Sequence, residues 1–139
     1  MAISDKPDMG GAAEPQHTTP YLDLYARVLS GLMLLFGFRQ WAVILGIVGG
    51  VGGTFEAMTG AWQVATMHFA VVDLVAAVGL WMRASWGNVV WIYAALSEIA
   101  LHTVFSETFD VDLLVVAFHS ITIAGFLLLL FLGRRAAKA

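Results

Sequence analysis

Four long apolar runs decide what this chain can become. They cover about 22–45, 62–82, 86–105 and 113–132. Each is close to the roughly 20 residues a helix needs to cross a hydrocarbon core about 30 Å thick. In lipid the backbone has no water to bond, so only helices or closed barrels cross, and runs this long are not barrel strands. The expected fold class is all-α, an integral membrane four-helix bundle over 21–135. In 139 residues there is room for one domain. Charged residues make up 12% of the chain, about half the share of a soluble domain, which fits burial in a bilayer. The few Lys and Arg form no basic stripe, so no nucleic-acid footprint is present. The absence of cysteine excludes disulfides, thiolate metal sites and cysteine nucleophiles.

The flanks and connections set the topology. Residues 1–20 are polar and without apolar period, as in a disordered tail, and lack the basic start and apolar run of a secretory signal. Residues 136–139 form a short basic tail. Arg83 to Ser85 is a tight connection, and Ser106 to Asp112 an acidic loop. The stretch 42–55 is open to three readings: an extension of the first helix, a re-entrant segment or a loop. Its Gly46/Gly50 and Gly49/Gly53 pairs have the GxxxG spacing that permits close helix contact. With four spans, Lys6, Arg27, Arg83, Arg134, Arg135 and Lys138 share one side, and Glu56, Glu107, Asp110 and Asp112 share the other. The positive-inside rule then makes both termini cytoplasmic. The expected location is the bacterial inner membrane, crossed several times.

Ionisable residues inside these runs are the candidate site. Glu98 and His102 lie four apart, on one helical face with Trp91, Ala95 and Phe105. Each such residue costs about 2.5–3.5 kcal/mol or more in a bilayer and calls for a partner or a watery cavity. Arg39, His68, Asp73 and His119 offer partners from the other runs, at similar depth for a rise of about 1.5 Å per residue. The expected centre is Glu98 with Arg39 or His102. His68 and Asp73, five apart, diverge around their own helix. A network that fixes helix register accounts for the cluster without function. Three functional readings compete with it. A quinone or proton site needs a carboxylate and histidines beside an apolar cleft. Haem needs two facing histidines, and a metal site would draw on Glu98, His102 and His119.

Asp73-Leu74-Val75, Gly79-Leu80-Trp81-Met82-Arg83-Ala84, and Arg27, Gly31 and Gly37-Phe38-Arg39 resemble the first two spans of DoxX-like four-helix membrane proteins. The resemblance covers Arg27 to Arg135, but Glu98 and the three histidines are not marks of that family. It implies a small inner-membrane protein associated with redox or quinone-linked enzymes, often as an accessory subunit. The composition is also similar to that of uncharacterised small bacterial membrane proteins. Two functions follow as expectations. The first is an accessory or scaffold subunit of a larger membrane complex, with no reaction of its own and a membrane-protein partner or a homo-oligomer around it. The alternative is a quinone-, proton- or haem-handling module built on the polar cluster.

Overall fold

The computed structural model describes residues 20–50, 53–109 and 112–136. The expected tails, up to residue 19 and beyond 136, and Asp110 of the acidic loop lie outside the described residues. The described residues are all-helical: α1 (Pro20–Ile44), α2 (Gly60–Trp81), α3 (Ser85–Thr103), α4 (Ser106–Phe109) and α5 (Leu113–Ala136), with a 3-10 turn at Phe55–Ala57. Among the described residues, three helices are long and apolar enough to cross a membrane: α1, α2 and α5. The fourth expected span, α3, is not among these three. That helix has 19 residues and carries Asn88, Ser97, Glu98 and His102, which reduce its apolar character.

Local chemistry sets the helix ends. Pro20 opens α1, where its missing N–H costs nothing. Asp112 caps α5: its Oδ1 accepts from the N–H groups of Leu114 at 3.0 Å and Val115 at 3.3 Å. Arg134 and Arg135 lie inside the last turn of α5, not in a tail, where their charge complements the helix dipole. α2 ends in a Schellman turn, with Arg83 N–H donating to Leu80 O at 3.1 Å and Ala84 N–H to Gly79 O at 3.0 Å. Arg83 occupies the left-handed position, φ 58°, which glycine usually takes. Its guanidinium pairs with Asp23 at the start of α1, and Arg27 lies 5.5 Å from the Trp81 ring centre.

The stretch 42–55 is largely a loop. α1 stops at Ile44, Gly46 takes φ +71°, and Gly50 and Gly53 exchange backbone bonds of 2.8 and 3.2 Å. Its GxxxG pairs therefore do not lie on a helix face.

The four long helices form a ring in the order α1, α2, α3, α5, each antiparallel to its neighbours. Ser30 Oγ–H donates to Ala77 O at 2.7 Å and Trp41 Nε1–H to Ala70 O at 3.1 Å, which pin α1 on α2 at two levels. α2 and α3 approach most closely at Gly79 and Gly87, where a side chain on either glycine would collide with the other's backbone. Phe36 on Phe118 and Tyr25 on Phe126 close the ring between α1 and α5, and Tyr25 Oη–H donates to Thr122 O. The core is Leu29, Met33, Ala76, Ala77, Leu80 and Trp91. Outside it, Val64, Met67, Val71, Val75 and Val78 form an exposed apolar stripe on α2, and Val89, Tyr93 and Leu96 do the same on α3. Apolar side chains thus face both inward and outward, the pattern of helices surrounded by lipid.

Candidate functional site

The core of Leu29, Met33, Ala76, Ala77, Leu80 and Trp91 fills one end of the ring, and the end carrying the long loops is left open. A cavity of about 500 Å³ opens there, bounded by α1, α2, α3, α4 and α5. Phe36, Trp62, Phe69, Phe109 and Phe118 supply aromatic walls, and Arg39, Glu98, His102 and His119 are its titratable members together with the capping Asp112. This volume lies in the range of small-molecule sites, which are mostly apolar with a few convergent polar groups.

At its wall, Nε2 of His119 lies 3.0 Å from Oε2 of Glu98. The other ring nitrogen, Nδ1, lies 3.0 Å from the carbonyl of Val115, one turn earlier on α5. A carbonyl only accepts, so Nδ1 carries a hydrogen. The Nε2–Oε2 contact then needs one more proton, held by the histidine as an ion pair or by the carboxyl as a neutral pair. In both forms the pair is neutral overall and keeps one proton at the cavity wall. Removing it would set two lone pairs against each other, so the proton is retained until another base takes it. His119 is buried and the Glu98 side chain is 17% exposed, so water competes little for either group.

The six expected residues separate into three sets. Glu98, His102 and His119 come together at the cavity, with His102 buried and its ring 6.3 Å from that of Trp62. Arg39 lines the same cavity from an exposed position, and among the described residues no carboxylate pairs with it. His119, rather than Arg39 or His102, is the hydrogen-bonded partner of Glu98. Asp73 is 3% exposed, but it does not line the cavity. His68 faces outward instead, its ring T-stacked 5.7 Å from Tyr93.

The expected stripe along α3 holds at Trp91, Ala95 and His102, all buried, and fails at Phe105, which is 57% exposed. α3 ends at Thr103, so Phe105 leaves the helical register. Two features went unnoticed in the sequence. The capping role of Asp112 had a signal, an Asp directly before an apolar run. Trp91 Nε1, buried with no hydrogen-bond partner among the described residues, had none.

The donor geometry also bears on cofactors. Both ring nitrogens of His119 are engaged, and His68 lies outside the cavity, so neither presents a free axial nitrogen toward a haem held there. Among the described residues, no group of three or more His, Asp or Glu is arranged to hold a metal ion.

Over residues 21–137 the sequence matches a family described as a family of unknown function, DUF6163. The chain belongs to the DUF6163 family. No curated protein and no solved structure matches it. In this DUF6163 chain, the matched region takes in the four long helices, apart from Pro20 at the start of α1, and every residue of the cavity.

Proposed function

We propose that this DUF6163 protein is a multi-pass protein of the bacterial inner membrane, a four-helix bundle with both termini cytoplasmic, whose outer-facing cavity binds a flat amphipathic molecule of the quinone class. The observation that carries this reading is the one-proton Glu98–His119 pair in the wall of an aromatic-lined cavity. A quinone ring is flat and apolar with two carbonyl acceptors at opposite ends. The Arg39 guanidinium offers donors to one carbonyl, and the other can share the Glu98–His119 proton in a three-centre hydrogen bond. Phe36, Phe69 and Phe118 offer ring surfaces for the apolar body. The exposed apolar stripe on α3 supports its crossing as the fourth span, because its polar residues Glu98 and His102 are turned toward the cavity. The proposal is for binding.

The test is equilibrium binding of a tail-less benzoquinone to the detergent-purified protein, with wild type beside His119→Leu and Arg39→Ala. Saturable binding that weakens at least about tenfold in both variants supports the site. Absence of saturable binding, or equal binding by all three proteins, overturns it.

A second reading, the accessory subunit expected from the DoxX-like resemblance, is favoured by α5. Only 6% of its apolar window is buried within the fold, which leaves most of that helix for lipid or another protein's helix. A native pull-down that recovers a stoichiometric membrane partner supports this role, and recovery of the chain alone counts against it. The two readings are compatible, since the cavity lies inside the ring and the free face of α5 outside it.

A further inference from the structure

A second hollow lies against the first. It has a volume of about 480 Å³ and lies between α2 and α3, on the side away from α1 and α5. Its lining is mostly apolar, with His68 and Ser97 as the polar members and the small residues Gly60 and Ala61 at the loop end. Four residues border both this groove and the central cavity: Ala65, Phe69, Leu101 and Phe109. Ala65 and Phe69 are buried on α2, while Leu101 and Phe109 are half-buried. Phe109 is held on the four-residue α4 by an edge contact with Trp62, ring centres 4.9 Å apart. The groove therefore adjoins the cavity, and these four residues form the wall common to both.

We infer that the ligand of this site is a lipid, with its quinonoid head in the central cavity and its hydrocarbon tail leaving through the groove between α2 and α3. The inference rests on the head-binding reading above and adds the tail. A head in the cavity cannot carry a long chain within about 500 Å³, and the groove leads that chain straight to the bilayer. The outward rim of the groove is Val64, itself 64% exposed and part of the α2 stripe, so the tail would pass from groove to lipid along one apolar surface. A tail leaving lipid for the groove gains no hydrophobic free energy, because both surroundings are apolar. The groove contributes close packing instead, which is sensitive to shape and is lost when the groove is filled. Leu101 and Phe109 would swing aside for the chain to pass, as side chains on half-buried positions can without unpacking the helices.

The experiment compares a tail-less benzoquinone with its decyl-substituted analogue on wild type and on Val64→Trp, in one detergent. Partition of the tail into detergent is the same for both proteins and cancels in the comparison. The expected result is unchanged binding of the tail-less ring by Val64→Trp and about tenfold weaker binding of the decyl compound. Should Val64→Trp lose the tail-less ring as well, the same comparison is read from Ala61→Leu, a smaller filling of the same groove. If the tail-less ring binds and groove filling leaves the decyl compound unaffected, the groove inference is overturned and the head site stands. If wild type binds neither compound, the head site itself fails, and the tail with it.

Discussion

His119 and Glu98 share a single proton. Because the Val115 carbonyl holds Nδ1–H, the 3.0 Å contact between Nε2 and Oε2 needs a hydrogen from one side or the other. The pair can thus be tested by replacing the carboxyl with groups that can or cannot donate. Glu98→Gln places an amide N–H against the bare Nε2 and should stay within about 1 kcal/mol of wild type in detergent unfolding. Glu98→Leu strands a buried ring nitrogen and should lose about 1–3 kcal/mol. Equal losses in the two variants would show that charge, not the donated hydrogen, holds the pair.

Asp73 gives the opposite expectation. It is nearly fully buried, with neither hydrogen bond nor ion pair to another described residue. A buried carboxylate without a partner is destabilising, so neutralising it removes a cost. Asp73→Asn, which keeps the shape, should hold or raise thermal stability by about 1 kcal/mol. A loss as large as that of Glu98→Leu would reveal a partner for this carboxylate and contradict the arrangement described here.

At the Gly79–Gly87 contact, backbone meets backbone between α2 and α3. A methyl on Gly87 would overlap the Gly79 carbonyl group, and one on Gly79 would lie 2.5 Å from Gly87 Cα. Backbone cannot move aside as a flexible side chain can, so Gly87→Ala should cost about 1–3 kcal/mol. Gly125→Ala is the control, since its nearest neighbour, the Tyr25 hydroxyl, is at 3.6 Å, an ordinary contact. Thermal unfolding of the two variants in one detergent gives the comparison, and equal stability would mean that the α2–α3 hairpin is looser than drawn.

Topology can be checked without purification. Reporter fusions at the C-terminus and after Met82 should report cytoplasm, and one after Glu107 should report periplasm. The grouping of Arg27, Arg83, Arg134 and Arg135 at one end of the bundle motivates this expectation. A C-terminus found in the periplasm would remove α3 as a span, leaving α1, α2 and α5 as the three crossings.

Much of the architecture was legible because its causes are local. A run of apolar residues long enough to cross lipid must become a helix, and its period of 3.6 residues places Glu98 and His102 on one face and separates His68 from Asp73. The loop at 42–55 was not decided by composition. The same glycines serve a helix contact or a turn, and the positive φ of Gly46 belongs to the turn. The end of α3 was also missed, because nothing between Thr103 and Phe105 is a helix breaker.

By itself the sequence determined which residues are ionisable inside apolar runs, and which side of each helix they occupy. It could not determine that Glu98 meets His119 rather than Arg39, because that depends on the rotation and axial register of α3 against α5. Those are set by contacts distant in the chain, such as Ser30 on Ala77 and Trp91 on Phe126. The cavity has the same origin. Its aromatic walls come from four different helices, α1, α2, α4 and α5, and a hollow exists only where those elements stop short of filling the space between them.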